Sequence, residues 1–268
     1  MFHLNLSLKA ILPLLALSGL SKCESPSSRA PQIHRKTNLL ILPTVPTRFG
    51  YVLFPGFEAL DMFGSIDALN HLQELHYMNL TLIAATLDPV YTNRLPWYTT
   101  SANSTFGEAV LPTHTFATAP PLDVLVIPGG NGLRAPAPIL NSAIDFVRDR
   151  YPTLQYLLTV CNGAGLAARA GVLDGKSATT NKLAWVETVA LGPKVNWIAH
   201  ARWVTDGNIW TSAGVSAGID LMIAFIGHVW GQDLAQKLAI GMEYTAAKDS
   251  SDDPFAALYN LTDVPAHY

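Results

Sequence analysis

Short apolar runs alternate with amphipathic segments along the chain from Arg48 to about Ala247. Most of the apolar runs end in Gly, Pro or Asp and carry few polar residues, which is typical of strands buried on both faces. The predicted strands are "RFGYVLFPG", "NLTLIAATLD", "LDVLVIPGG", "LQYLLTV" and two strands within "VNWIAHARWVTDGNIWTSAG" around the turn Asp206-Gly207. The stretch "YTTSANSTF" with its flanks predicts a weaker hairpin.

Segments with apolar residues at helical spacing lie between and after these strands. They are "FEALDMFGSIDALNHLQEL", "APILNSAIDFVRDRY", "NGAGLAARAGVL", "AGIDLMIAFIGHVWG" and "QDLAQKLAIGMEYTA". This alternation predicts an α/β fold, with a single domain whose mostly parallel sheet is sandwiched by helices. We assign the domain to residues 47–248 and residues 249–268 to a C-terminal tail.

The first residues have a different pattern. Lys9 precedes an apolar run over residues 10–20 that is too short to span a bilayer comfortably. The run predicts a signal peptide over residues 1–22 and a proline-containing linker over residues 23–46, although a buried first helix is an alternative. Three Asn-x-Ser/Thr sequons, at Asn79, Asn103 and Asn260, agree with a secretory route. We therefore expect a secreted glycoprotein.

Composition and charge exclude several classes of partner. The 268 residues are 49% hydrophobic and 14% charged, with a net charge of −3 and no basic stripe, which argues against a nucleic-acid partner. No other run is long enough for a membrane span. The histidines are scattered without paired ligand spacing, so we predict no metal site.

Three predicted strands end in unusual residues, namely "PGFEALD", "IPGGNGLR" and "TVCNGAG". In open α/β sheets, sites lie outside the carboxyl ends of the strands. We therefore expect these three segments to meet at one edge of the sheet.

Cys161 is the one cysteine outside the N-terminal region, where Cys23 lies. It follows a predicted strand and precedes a predicted helix, which is the arrangement of a nucleophile elbow. A helix N-terminus stabilises a thiolate, so we expect a lowered pKa for the Cys161 thiol. A buried structural cysteine is the alternative.

Two further groups are candidates for chemistry beside Cys161. Asp61 lies in the apolar stretch "ALDMFG" and could hold or move a proton, with Glu58 as the local competitor and a helix cap or exposed acid as the alternative. The backbone amides of Gly130 and Asn162 could form an oxyanion hole.

The chain resembles the ThiJ/PfpI superfamily, which has the flavodoxin-like fold of class I glutamine amidotransferases. The segments that carry the resemblance are "YVLFPGFEALDMFGSIDAL", "DVLVIPGGNGLR", "TVCNGAGLAARAGVLDGKSATTNKLAW" and "DGNIWTSAGVSAGIDL". They are most similar to the branch that contains isonitrile hydratases and the amidase-like domains of some transcription regulators. No helix-turn-helix pattern follows them, which argues against a regulator.

The resemblance implies that Cys161 is the nucleophile, that Asp61 interacts with it, and that Gly130 and Asn162 occupy the oxyanion positions. It also implies a homodimer that needs no cofactor. Two positions depart from the family pattern. Asn181 stands where many members have histidine, and asparagine cannot act as a base near neutral pH. Asn162 stands where isonitrile hydratases usually have threonine.

These features predict a cysteine-dependent hydratase or lyase of isonitrile-hydratase type that acts on a small molecule through Cys161 and Asp61. One alternative is a hydrolase or cyclase that tailors a secondary metabolite with the same pair. The other is a redox-sensing or ligand-binding member without catalysis.

Overall fold

The apolar runs form the strands of a central sheet, and the amphipathic segments form helices, as predicted. The computed structural model describes residues 44–93, 95, 102, 104–136 and 138–268. A compact unit extends from Pro43 to Tyr268. The predicted signal peptide, residues 1–22, and nearly all of the predicted linker, residues 23–46, lie outside the described residues, as does the sequon asparagine Asn103.

Within the described residues, seven strands form the central sheet in the order β10-β11-β7-β6-β1-β2-β5. The strands of the chain are β1 (Arg48–Val52), β2 (Asn79–Ala84), β3 (Val90–Tyr91), β4 (Ala109–Val110), β5 (His114–Thr115), β6 (Val124–Ile127), β7 (Tyr156–Thr159), β8 (Ser177–Ala178), β9 (Asn196–Trp197), β10 (Trp203–Asp206) and β11 (Ile209–Ser212). All pairs of the central sheet are parallel except β10 with β11. The mostly parallel sheet is therefore confirmed.

Helices cover both faces of this sheet, because every residue of β6 and of β11 is buried. The helices are α1 (Ala59–Gln73), α2 (Asn141–Arg150), α3 (Gly163–Arg169), α4 (Trp185–Val189), α5 (Ala217–Trp230), α6 (Gln232–Gly241) and α7 (Phe255–Leu258). Helix α1 packs with α5 and α6, and α3 packs with α2 and α4. Short 3-10 turns lie at Asn131–Arg134 and Tyr151–Thr153.

The segment after residue 248, predicted as a tail, packs on the domain. Trp197 and Val264 exchange backbone hydrogen bonds of 2.9 Å in both directions. Ala256, in α7, is fully buried. The compact unit therefore includes residues 249–268, which local apolar patterning does not indicate because that segment contains short turns and one four-residue helix.

The carboxyl ends of β1, β6, β7 and β11 lie along the same edge of the sheet, since these strands are parallel. The loops that follow them carry the three predicted site segments and a fourth, residues 213–216. This edge is where the candidate residues meet.

Candidate active site

Cys161 lies in a sharp turn between β7 and α3. Its φ of 58° is in the left-handed region, which is uncommon for a residue other than glycine. The Cys161 N–H donates to Ala213 O (3.0 Å), and its carbonyl accepts from Thr180 Oγ1 (2.9 Å). The side chain is buried. This geometry matches the nucleophile elbow predicted from its position after a strand.

Glycine at position 163 lets this turn lie close to the next strand. A Cβ on Gly163 would lie 2.4 Å from the carbonyl oxygen of Ile127 and 2.8 Å from that of Pro128. Such contacts are with backbone, which cannot move aside easily. The sequence Asn-Gly after Cys161 therefore lets α3 begin directly against the end of β6.

Asp61 is fully buried in the first turn of α1. Its Oδ2 accepts from the Gly129 N–H at 2.7 Å. Burial raises the pKa of Asp61 to about 7; the Gly129 hydrogen bond opposes this rise, the charge of Glu58 adds to it, and a hydrogen bond from Cys161 opposes it. Asp61 thus lies with Cys161, as the resemblance implies, whereas the side chain of Glu58 is exposed.

The pKa of the Cys161 thiol is raised, because burial and the nearby carboxyl of Asp61 both disfavour the thiolate. Backbone amides of Val215 and Asn162 hydrogen-bond to the sulfur and oppose this rise. The expectation of a lowered thiol pKa from the helix N-terminus is therefore wrong. The rise in the thiol pKa caused by burial beside a carboxyl is larger than the fall caused by the amides at the start of the short helix α3.

Asn162 holds the Pro128-Gly129-Gly130 turn with its side chain. Its Oδ1 accepts from Gly130 N–H (2.8 Å), and its Nδ2 donates to Gly130 O (3.2 Å). The Gly130 amide is therefore already hydrogen-bonded, which corrects the expectation that it is free to form an oxyanion hole with the Asn162 amide. The two amides that face the sulfur are those of Asn162 and Val215.

Gly129 lies where three functional groups converge. A Cβ at this position would be 2.4 Å from Asn162 Oδ1, 2.8 Å from Asp61 Oδ2 and 2.8 Å from Cys161 Cβ. Only a residue without a side chain lets these groups approach one another. The turn that follows β6 therefore brings Asp61, Cys161 and Asn162 into one cluster.

Asn181 lies near this cluster, in the segment that holds the Cys161 carbonyl. It packs against Gly214, where an added Cβ would lie 3.3 Å from the Asn181 Cβ. The Asn181 Oδ1 is buried without a hydrogen-bond partner among the described residues. Leaving a buried carbonyl unpaired costs about 1–3 kcal/mol, so this oxygen is a candidate contact for a bound ligand.

Sequence reasoning did not identify Thr180 and Val215. Both contact Cys161, Thr180 through its hydroxyl and Val215 through its backbone amide. Val215 has a φ of 31°, which no sequence pattern indicates. Its place three residues after the end of the buried strand β11, at the same edge of the sheet, was a signal that sequence analysis could have used.

A cleft of about 430 Å³ lies beside the cluster. Asn162 contributes to its wall, together with the segment 133–135, Arg169 and α4. Arg134 and Glu187 form an ion pair at this cleft. The cleft is large enough for a small molecule.

Among the described residues, no group of three or more His, Cys, Asp or Glu side chains is arranged to hold a metal ion. No described helix is long and apolar enough to cross a membrane.

The chain has a mostly parallel sheet, a cysteine at a strand-to-helix elbow and a buried carboxyl beside that cysteine. These features place it in the class of α/β proteins that have a nucleophile elbow. Residues 50–228 match the model of the DJ-1/PfpI family. The chain therefore belongs to the DJ-1/PfpI family, which confirms the resemblance stated from its motifs.

Individual relatives agree with this assignment. The chain is 33% identical over 203 residues to an isonitrile hydratase from Pseudomonas putida, covering 75% of this chain and 79% of that protein. It is 22% identical to the HTH-type transcriptional regulator GbdR from Pseudomonas aeruginosa, covering 77% of this chain and 53% of the regulator. A solved ThiJ/PfpI family protein from Pseudomonas syringae superposes with a TM-score of 0.61 at 26% identity, covering 83% of this chain and 88% of that one.

Proposed function

We propose that the protein is a hydratase of isonitrile-hydratase type, in which Cys161 is the nucleophile and Asp61 carries the proton. The observation that carries the proposal is the buried carboxyl of Asp61, whose pKa of about 7 suits proton transfer near neutral pH. Asn181 stands where a histidine base would be expected, so Asp61 is the proton carrier beside the thiol. Similarity to an isonitrile hydratase supports the same reaction.

The first step forms a covalent adduct. The Cys161 S–H proton passes to the Asp61 carboxylate as the sulfur bonds to the terminal carbon of an isonitrile, R–N≡C. Asp61 then gives that proton to the same carbon. The product is a thioimidate, R–N=CH–S–Cys161, and Asp61 is again a carboxylate.

The second step consumes water. Water adds across the C=N bond, with its hydroxyl on carbon and its proton on nitrogen, and Asp61 assists by accepting and returning a proton. The adduct expels the Cys161 sulfur, which recovers the hydroxyl proton as the C=O bond forms. The products are the formamide R–NH–CHO and the free thiol.

Acyl transfer develops an oxyanion that needs N–H donors. The Gly130 N–H is already paired with Asn162, so the amides of Asn162 and Val215 would have to supply them. Attack on an isonitrile needs a proton donor at carbon instead, which Asp61 supplies. A hydrolase or cyclase using Cys161 and Asp61 is the alternative, and similarity to an isonitrile hydratase favours the hydratase.

The experiment is formamide production from a simple aromatic isonitrile, measured for the wild type and for the Cys161→Ser and Asp61→Asn variants. We expect formamide from the wild type, none from Cys161→Ser, and a loss of about 100-fold or more for Asp61→Asn, which removes the proton carrier. Formamide from Cys161→Ser at the wild-type rate would reject the covalent mechanism. No formamide from any variant would reject isonitriles of this class as substrates.

The proposed setting is the secretory pathway, from the N-terminal pattern of residues 1–22. We also propose a homodimer, from the family resemblance. Light scattering of the purified chain tests the dimer, and a monomer at micromolar concentration would contradict it.

A further inference from the structure

The C-terminal segment, residues 249–268, lies beyond the part of the chain that matches the family model, which ends at residue 228. It is nevertheless attached to the domain by a buried ion pair. Lys182 Nζ lies 3.6 Å from Asp253 Oδ2, and the two side chains are 3% and 0% exposed. Lys182 follows Asn181 and belongs to the segment beside Cys161.

The surroundings of Lys182 fix its position. Its Nζ donates to Thr179 Oγ1 and to Ala201 O, both at 3.0 Å. The carboxyl of Asp253 also accepts backbone N–H groups of Phe255 and Ala256 at the start of α7. A buried ion pair is seldom a net gain in stability over an apolar pair of the same size. Its presence here therefore calls for another role.

Two routes of hydrogen bonds connect the start of this segment to the Cys161 peptide. The first reaches the Cys161 N–H. Arg202 N–H donates to Ser250 O (2.7 Å), and Arg202 O accepts from Ala213 N–H (2.9 Å). The carbonyl of Ala213 in turn accepts from Cys161 N–H (3.0 Å).

The second route reaches the Cys161 carbonyl. Asp253 pairs with Lys182, and Lys182 donates to Thr179. The next residue, Thr180, donates its hydroxyl to Cys161 O. Both polar groups of the Cys161 backbone are thus held by contacts that lead to residues 250–253.

The Cys161 backbone needs such support. A left-handed conformation costs a residue with a Cβ about 1–2 kcal/mol, and it persists only where the surroundings enforce it. The φ of 58° at Cys161 aims the side chain at Asp61 and at the amide of Val215. If the peptide relaxed, the sulfur would leave this position.

We propose that residues 250–253 are a positioning element for the nucleophile, and that Asp253 and Lys182 are positioning residues that keep the Cys161 peptide in its strained conformation. The proposal rests on the proposed function only in treating Cys161 as the reactive thiol. It makes no assumption about the substrate.

The test measures alkylation of Cys161 by iodoacetamide as a function of pH. The full-length chain carries Cys23→Ser, so that Cys161 is its single thiol. Asp253→Asn removes the charge that pairs with Lys182, and Thr180→Val removes the hydroxyl that holds the Cys161 carbonyl. Thr180→Ser keeps that hydroxyl and should behave like the wild type.

The matched control is Asp123→Asn, which removes another buried carboxylate. Asp123 is hydrogen-bonded to Arg48 and Thr47 at the opposite edge of the sheet from Cys161. We expect it to lower the melting temperature about as much as Asp253→Asn does, by a few degrees. It should leave the pH midpoint of alkylation unchanged.

We expect Asp253→Asn and Thr180→Val to release the thiol from burial. Alkylation near neutral pH should increase about tenfold or more, and its pH midpoint should fall toward the value of a free cysteine, about 8.5. The double variant should exceed the larger single effect only slightly, because both changes act on one peptide. If Asp253→Asn does not fold, Lys182→Gln, which removes the other charge of the pair, carries the test.

A wild-type midpoint in Asp253→Asn would overturn the proposal whatever Thr180→Val shows, because the Thr180 hydroxyl bonds to Cys161 and not to residues 250–253. An equal shift in Asp123→Asn would overturn the proposal as well, because the shift would then come from a general loss of stability and not from the contacts of residues 250–253. The outcome is separate from isonitrile turnover. A midpoint shift without formamide production would support the positioning element and reject the hydratase function. Formamide production without a midpoint shift would support only the hydratase function.

Discussion

Asp61 and Cys161 titrate as a coupled pair, because the hydrogen bond from the thiol lowers the pKa of the carboxyl and the charge of the carboxylate raises the pKa of the thiol. The carboxyl has a pKa of about 7, and the thiol pKa is raised above its usual value. Around and above pH 7 the pair therefore holds one proton, which is the state that the proposed first step requires. Below it the pair gains a second proton, and Asp61 can no longer accept the proton of the thiol.

The first prediction is a pH profile. We expect kcat/KM for an aromatic isonitrile to rise about tenfold per pH unit below about pH 7 and then to level off. Initial rates of formamide production between about pH 5 and pH 9 measure this profile. A rate that is constant over the whole range would show that protonation of Asp61 does not limit the reaction.

The second prediction concerns the stability cost of the same carboxyl. The pKa of Asp61 rises from 3.8 to about 7 on folding, so the folded state binds the proton more tightly than the unfolded state. This tighter proton binding stabilises the folded state fully below about pH 4, and the stabilisation is lost as the pH rises from about 4 to about 7. At pH 8 the ionised carboxyl lowers the free energy of unfolding by up to about 4 kcal/mol, because a pKa raised from 3.8 to about 7 disfavours the ionised form by that amount.

Asp61→Asn removes this cost and keeps an oxygen that can accept from Gly129. We therefore expect the variant to be more stable than the wild type at about pH 8, with the difference shrinking toward about pH 4. Urea unfolding at the two pH values measures both free energies. An equal difference at both would mean that the charge of Asp61 is not its source.

At the scale of elements, the start of α5 packs closely on the end of β7. A Cβ on Gly218 would lie 2.6 Å from Cγ1 of Val160, the residue before Cys161. Gly218→Ala should therefore overpack this contact and cost about 1–3 kcal/mol. Since Val160 is fully buried, Val160→Ala should cost a similar amount by leaving a cavity.

The third prediction is that these two changes compensate each other. The double variant should lose less stability than the sum of the single variants, by about 1 kcal/mol or more, because the methyl added at position 218 enters the space left by the two γ-methyls of Val160. Denaturant unfolding of the four proteins completes the cycle. Gly241→Ala is the control, since a Cβ there meets no atom within 4 Å. Strictly additive losses would contradict the close contact.

The elements of the sheet were predictable because their signals are local. The run that became β6 is apolar throughout and that of β7 is apolar except for Thr159, and the helical segment that became α1 keeps its spacing across Gly64. The two-residue strand β8 was missed, because so short a stretch shows no periodicity, and β9 was not separated from β10 within the stretch predicted as two strands.

The site was predictable only in part. Cys161 and Asp61 stand out by residue type, since a thiol and a carboxyl in apolar runs are unusual. The hydrogen bonds from Asn162 to Gly130 and from Thr180 to Cys161 were not predictable. They join segments 32 and 19 residues apart, and no local pattern encodes such pairings.

At the scale of the whole molecule, the loops that follow four parallel strands meet at one edge of the sheet, and the C-terminal segment contacts residues beside this edge. The family match covers residues 50–228 and so includes the reacting groups. Asp253 lies outside that range, yet it pairs with Lys182 beside the site. The compact unit therefore extends beyond the family segment, to Tyr268.

The fourth prediction concerns the route of the whole chain through the cell. The pattern of residues 1–22 predicts cleavage near Ser21 or Cys23 and export of the remainder. Asn79 and Asn260 are exposed in the folded domain and can carry glycans there. Expressed in a secretory eukaryotic host, the full chain should appear in the medium with a new N-terminus, and endoglycosidase should lower its mass.

Deletion of residues 1–22 should keep the protein inside the cell, whereas Asn79→Gln with Asn260→Gln should remove their glycans without stopping export. Retention of the full chain in the cytosol with Met1 still present would contradict the signal peptide.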